Sequence, residues 1–245
     1  MRIPRIYLPL PLTVGATVLL DDNAFGHAVR VLRLKAGAAL VLFDGKGNAF
    51  AATLRDVGKR EAWTEVLEAL PSEAESALRI VLAQGISRGD KMDYTVQKAV
   101  ELGVNAIQPL FTERGGVDLS GERLLRKVRH WEGIVIGACE QCGQNRLPEL
   151  RRPLALTAWL GQAMEAGLRL LLDPQAERGL AALAAPAKRV TLLIGPEGGL
   201  NAAEIAQARA VGFTAIRLGP RILRTETAGL VAVAAAQTLW GDLSN

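Results

Sequence analysis

Leu192-Leu193-Ile194-Gly195-Pro196-Glu197-Gly198-Gly199-Leu200 is a buried-strand pattern that stops abruptly in a glycine-proline-glycine loop, after which Asn201 opens a helix. Gly195, Gly198 and Gly199 allow positive φ and close approach of main chain to a ligand, while Pro196 ends the strand and stiffens the turn. Asn201 followed by Glu204 fits an Asx-type capping box and Gly212 fits a C-terminal stop, so residues 202–210 are predicted helical. The pattern returns as Ile216 to Thr227, I-R-L-G-P-R-I-L-R-T-E-T, where a short apolar strand again runs into glycine-proline at Gly219-Pro220. Two strand-loop-helix units in succession predict an α/β sheet, and its strand carboxyl ends are the favoured ligand crevice. Two tight turns with no ligand is the alternative that loop chemistry alone leaves open.

Working back from these loops, strand-helix alternation reaches Leu78. Strands are predicted at Leu78–Ala83, Ala106–Phe111 and Leu168–Leu172. Helices are predicted from Asp90 through Leu102, from Glu122 to about Cys142, from Ala158 to Ala166 and from Glu226 to Trp240. The last is apolar nearly all round and wants burial on more than one side, in a core or against a second subunit. Residues 1–70 have a different texture, with β-like runs at Thr17–Leu20, Ala38–Phe43, Ala49–Leu54 and Trp63–Leu67 and a hairpin signal at Asp44 to Asn48. Only His27–Leu34 looks helical there, with Ala28, Val31 and Leu32 on one face. The fold class is therefore α/β with a small β-barrel domain: 1–70, a polar linker from Pro71 to Ser76, and a second domain over 77–245.

With 245 residues and 49% hydrophobic content the chain can bury a sizeable core. No apolar run reaches the roughly 20 residues of a membrane span, and the amino terminus has charge where a signal peptide would be apolar. Two cysteines give no disulfide framework, which suits a cytoplasmic setting. The net charge of +4 is compatible with a polyanionic partner, but no basic tail exists, so a nucleic-acid surface must be assembled from scattered arginines. Neither a P-loop nor a G-x-G-x-x-G after a first strand is present, which removes support for ordinary NTPase and dinucleotide readings.

Cys139-Glu140-Gln141-Cys142 is formally C-x-x-C. The thiols share a helical face with Leu124, Val128, Trp131 and Val135, and no second ligand pair appears, so core packing is preferred and no metal is expected. Glu140, Gln141, Asn145 and Arg146 gather polar groups at that helix's end, explained equally by a solvated terminus or a substrate site. His130 reads as a surface residue. His27, Arg30 and Arg33 fit phosphate contacts or a solvated face, and Ser87 to Lys91 fits a capped turn or a cationic site. The least bland set is Arg221, Arg224, Thr225, Glu226 and Thr227, whose polar groups are costly to bury without a partner.

At G-P-E-G-G-L and L-G-P-R-I-L-R-T-E-T-A the sequence resembles the SPOUT class of S-adenosylmethionine-dependent RNA methyltransferases, and within it the RsmE family of 16S rRNA uridine-N3 methyltransferases. The likeness extends to M-R-I-P-R-I-Y at 1–7, S-R-G-D-K-M at 87–92, Q-K-A-V-E-L-G-V at 97–104 and A-C-E-Q-C-G-Q-N-R at 138–146. It implies a PUA-like first domain, a SPOUT-type parallel sheet with a trefoil knot, a homodimer, and a 16S rRNA or small-subunit partner. It also implies S-adenosylmethionine among three loops, those after Leu172, Ile194 and Leu218. The cofactor set so implied is Leu172, Ile194, Gly195, Pro196, Glu197, Gly198, Gly199, Leu218, Gly219, Ile222, Leu223 and Thr225. The implied RNA contacts are Arg2, Arg5, Arg30, Arg33, Arg88, Lys91 and Arg146.

Uridine N3 must lose its proton before or during attack on a sulfonium methyl. A cation such as Arg221 or Arg224 would stabilise the developing anion, and Glu226 or Glu197 would take the proton, unless those glutamates are structural ties between loops. The competing reading is a non-catalytic RNA-binding or ribosome-assembly factor in which the β-rich domain carries the activity.

Overall fold

The computed structural model describes residues 3–71, 76–117, 119–163, 165–186 and 188–243. It divides into two compact units, Met1–Glu75 with Ile136–Leu147, and Ser76–Val135 with Pro148–Asn245. This differs from the contiguous division into 1–70 and 77–245, because the stretch 136–147 packs with the first unit.

In that unit β1 (Arg5–Tyr7), β2 (Thr17–Leu19), β3 (Ala39–Phe43), β4 (Ala49–Val57) and β5 (Ala62–Ala69) form one sheet in the order β1-β3-β4-β5-β2. Only the β1–β3 pair is parallel. Ile6, Leu8, Phe25, Leu40, Leu42, Leu54 and Val66 make its core. The Asp44 turn forms as read. Its carboxylate accepts from the Asn48 side-chain amide at 2.6 Å and from the Lys46 and Asn48 backbone N–H groups at 2.7 and 3.1 Å, and these bonds outweigh burial and hold its pKa below the usual range.

The helix expected over His27–Leu34 starts earlier, as α1 (Asp22–Phe25), with the Asp21 carboxylate accepting from the Ala24 amide at 2.8 Å. It continues as a π-helix over Gly26–Val31, closed by Leu32 N–H donating to the His27 carbonyl. The wider turn rotates the expected apolar face: Ala28 is buried, but Val31 is 70% exposed and Leu32 is also exposed.

The stretch 136–147 is bonded into this unit by residues that the sequence left equally open as a solvated helix end or a substrate site. The Glu140 carboxylate accepts from Tyr7 N–H at 3.1 Å and pairs with His27 Nδ1 at 2.5 Å; burial pushes its pKa up against both contacts. Gly47 N–H donates to the Asn145 carbonyl and Leu147 N–H to that of Gly45. Cys139 is fully buried, and burial, with Cys142 and Glu140 nearby, pushes its thiol up to about 12, as a core role requires.

The second unit opens with β6 (Arg79–Gly85), α2 (Lys91–Glu101), β7 (Ala106–Phe111) and α3 (Gly121–Cys142), the last of which passes into the first unit beyond Val135. There follow β8 (Glu149–Leu150), β9 (Leu154–Ala155), α4 (Leu156–Leu160), β10 (Leu168–Leu172), β11 (Arg189–Ile194), α5 (Ala202–Ala210), β12 (Thr214–Ile216) and α6 (Thr225–Trp240). The sheet order is β12-β10-β11-β6-β7-β8, with β9 also on β7, and every pair is parallel. Ala83, Leu110, Leu171 and Leu193 pack one face against Leu156, Trp159 and Leu160 of α4 and against Ala208 and Phe213. On α6, which contacts β6, β11 and α2, Ala232, Val233 and Ala236 are buried, whereas Val231 and Leu239 stay exposed. The helix expected over 158–166 stops at Leu160, where Gly161 N–H closes onto the Thr157 carbonyl. Asp93 ties α2 to α3: it accepts from Lys127 Nζ and Trp131 Nε1 at 2.8 Å and pairs with His130 Nε2 at 2.7 Å. Burial alone would raise the Asp93 pKa, but these three bonds hold it low.

Candidate active site

β12, β10 and β11 are adjacent and parallel, so the chain after Leu172, Ile194 and Ile216 leaves the sheet at one edge. The first and third of these segments are hydrogen-bonded to each other: Asp173 N–H donates to the Ile216 carbonyl at 2.9 Å and Arg217 N–H to that of Arg178 at 2.8 Å. Three stretches separated by tens of residues in the sequence thus form one wall.

The loop 195–200 is locked on several sides. A Cβ at Gly85 would lie 2.6 Å from Pro196 N, and one at Gly198 would lie 2.8 Å from the Arg114 carbonyl oxygen, so both positions permit backbone contact that any side chain would prevent. Of the four glycines in the two loops, Gly195, Gly198, Gly199 and Gly219, positive φ occurs at Gly199 and Gly219 only. Glu197 Oε1 accepts from Arg88 N–H at 3.0 Å and lies 3.3 Å from Lys91 Nζ. Burial pushes the Glu197 pKa up, but its own N–H, that of Arg88 and the Lys91 ammonium more than offset this and hold it low. Thr225 Oγ donates to the Gly195 carbonyl at 2.5 Å. Downstream, the Asn201–Glu204 capping box forms as read, and Glu204 also accepts from Glu113 N–H at 2.9 Å, clamping a neighbouring loop.

The second loop is far less enclosed. Leu218 and Leu223 are half-buried; Gly219, Arg221 and Arg224 are exposed, and Ile222 is 86% exposed. Arg224 is the N-cap residue of α6 and supplies no side-chain cap bond. Glu226, in the first turn, places Oε2 out of solvent with no hydrogen-bond partner among the described residues. A carboxylate oxygen removed from water without a donor is costly, and a bound group at this position would relieve that cost.

The expected RNA contacts fall in both units. Arg5 and Arg30 lie over the Phe43 and Phe25 rings at 5.2 Å, and Arg33 is exposed with a positive φ of 55°. Arg5 also donates to the Asn145 side chain, and Arg146 bridges to Gly45 and Lys46. Arg88 and Lys91 belong to the second unit, beside Glu197. Arg2 lies outside the described residues.

Gln84, Gly85 and Arg114 were not legible as site residues. The only signal was a lone amide closing the apolar run I-V-L-A of β6, followed by glycine. A cavity of about 310 Å³ opens beside the start of α5, lined by Phe111, Thr112, Leu156, Thr157, Asn201 and Gln207 among others, none of them in the expected cofactor set.

With this geometry in hand, comparison with known proteins first gives the class. Residues 74–237 match the RNA methyltransferase domain model and residues 20–67 the RNA methyltransferase PUA domain model. A "ribosomal RNA small subunit methyltransferase E" from Buchnera aphidicola subsp. Schizaphis graminum is 37% identical, with 99% of each chain covered. A solved protein of the same name from Neisseria gonorrhoeae, bound to S-adenosyl methionine, superposes with a TM-score of 0.92 at 43% identity, over 99% of this chain and 100% of that one. A putative methyltransferase from Legionella pneumophila, in complex with the bound cofactor SAM, gives 0.95 at 40% identity, over 99% and 100%. The chain belongs to the ribosomal RNA small subunit methyltransferase E family.

Proposed function

We propose that this protein transfers the methyl group of S-adenosylmethionine to N3 of a specific uridine in 16S rRNA. Family membership and the S-adenosylmethionine-bound relatives support the cofactor and the RNA class. The observation within this chain that carries the reading is Oε2 of Glu226, buried without a hydrogen-bond partner among the described residues, next in sequence to the Thr225 that bonds to the first loop. S-adenosylmethionine supplies an electrophilic methyl on a sulfonium centre. The main chain of Gly195, Gly198 and Leu218 would hold it. Glu226 accepts the N3 proton, and Arg224 or Arg221 stabilises the negative charge that then spreads onto the uridine carbonyl oxygens. Exclusion of water favours this arrangement, because a cationic donor and an anionic nucleophile neutralise each other. Glu197, paired with Lys91 and held ionised at low pKa, serves better as a tie between loop and helix than as a base.

The same membership supports a trefoil knot. After the edge strand β12, the chain returns across the sheet so that α6 packs on β11 and β6. A homodimer is supported by the apolar side chains of Val231 and Leu239 that α6 leaves exposed. The RNA partner would be gripped through Arg30, Arg33 and Arg88, and the setting is cytoplasmic; no described helix is long and apolar enough to cross a membrane.

Titration calorimetry with S-adenosylmethionine, followed by nucleoside mass spectrometry of small-subunit rRNA treated with the protein, tests the reading. One new 3-methyluridine is expected. RNA binding without cofactor binding would instead indicate an assembly factor.

A further inference from the structure

Gln84, the penultimate residue of the central strand β6, is fully buried beside Leu82, Ile194 and Gly229. A primary amide in such surroundings is costly unless bonded, so its partners are informative. Its Nε2 donates to the Gly85 carbonyl at 3.1 Å and to Thr225 Oγ at 2.9 Å, and Thr225 Oγ donates onward to the Gly195 carbonyl at 2.5 Å. The direction of this chain is fixed. The Gly85 and Gly195 carbonyls can only accept, so the amide nitrogen must face Gly85 and the hydroxyl proton must point to Gly195. Meanwhile Gln84 Oε1 is buried with no donor among the described residues, pressed where a Cβ on Gly229 would come within 2.9 Å. Simple filling of this space would be served better by methionine, which leaves no orphaned acceptor.

We propose that Gln84 is a positioning residue for methyl transfer. It holds the Thr225 hydroxyl, and through it fixes the first residue of the cofactor loop to the first turn of α6, where Glu226 sits. The inference rests on the function proposed above: one loop holds the methyl donor, the other presents the proton acceptor, and transfer requires the two to be mutually aligned. Breaking the link loosens that alignment while leaving the contacts of each loop to its own ligand in place. The turnover number should therefore fall while affinity is largely retained.

The variants are Gln84→Met, Thr225→Val, Thr225→Ser and the double variant Gln84→Met/Thr225→Val, each compared with the full-length protein after its melting temperature is recorded. Gln84→Met and Thr225→Val should each lower kcat about tenfold or more, the loss expected when a buried polar partner is removed. Their Kd for S-adenosylmethionine should stay within about threefold of the parent, since uniform binding is not what the link supplies. Thr225→Ser, which keeps the hydroxyl, should recover most of the kcat lost in Thr225→Val, and the double variant should be no worse than either single one. Unchanged kcat in Gln84→Met, equal losses in the serine and valine variants, or a double variant whose losses multiply would each overturn the proposal. Should Gln84→Met not fold, the serine–valine contrast at Thr225 decides. A parent protein that neither binds S-adenosylmethionine nor methylates rRNA would overturn the proposed function itself, a result read before any variant is made.

Discussion

The two glycine-proline loops look alike in sequence and differ sharply in how the fold holds them. The loop 195–200 is touched by the backbone at Pro196 and Gly198, by Arg88 and Lys91 at Glu197, and by Thr225 at Gly195. The loop 219–224 instead leaves Arg221, Ile222 and Arg224 in solvent. The first is therefore held by the protein's own contacts, whereas the second presents its cations and Ile222 to solvent, where an incoming ligand can meet them. A rigid cradle suits a cofactor of constant shape. An open loop suits a macromolecule that must approach, dock and leave.

The contrast can be broken at the chemistry first. Glu226→Gln keeps size and packing but removes the proposed proton acceptor, and should lower kcat by about 100-fold or more. Calorimetric Kd for S-adenosylmethionine should hardly change; a retained kcat would remove Glu226 from the mechanism. Next in size is Gly85→Ala. Its methyl group would sit 2.6 Å from Pro196 N, so the rigid loop must shift. A loss of about 1–3 kcal/mol in denaturant unfolding is expected, together with weaker cofactor binding, while unaltered unfolding would show that the first loop is not tightly packed.

A smaller effect should follow pH. The folded-state pKa of Glu197 is lowered, so its contribution is present above the ordinary glutamate value and is lost as pH falls through the folded value. The pair with Lys91 is partly exposed, which limits the term to under about 1 kcal/mol. Comparing Glu197→Gln with the parent from neutral pH downward should show a stability gap that closes on acidification; a gap that widens would contradict the assignment. Smallest of all, Ile222→Ser should leave the melting temperature within about 1 °C, as expected for a surface change, because 86% of that residue is already in solvent. A marked destabilisation would mean that the second loop is packed after all.

Much of this contrast was legible in the residues. Glycine, proline and a capping pair are local signals, so the loop ends, the Asn201–Glu204 box and the span of α5 follow from a few neighbouring side chains. What escaped was set by partners distant in sequence. Glu140 and Asn145 fitted a solvated helix end or a substrate site equally because Tyr7, His27 and Gly47, which they bind, lie about a hundred or more residues away. The π-helix over Gly26–Val31 has the composition of an α-helix but a different turn, so its exposed side was misplaced. Gln84 escaped because one amide at a strand end resembles many others until Thr225 is brought against it. Within the site, the backbone turns were readable, whereas the division of labour proposed for Glu197 and Glu226 rests on which carboxylate the fold already pairs.

The interleaving of the two units has a consequence for the order in which the nascent chain can mature. Ile136–Leu147 completes a unit that begins with the first residues, and everything from Ser76 to Val135 is synthesised in between. The core of the five-stranded sheet is supplied by residues 6–66, but its Tyr7 amide and His27 ring stay unmet by Glu140 until the long helix has left the ribosome. By then β6, α2 and β7 are already outside the exit channel. Strict succession, one unit finished before the next begins, is the usual course of vectorial folding. Here that succession leaves the first unit without its last layer of contacts, and its β-rich head expressed as a single uncut segment would lack them too.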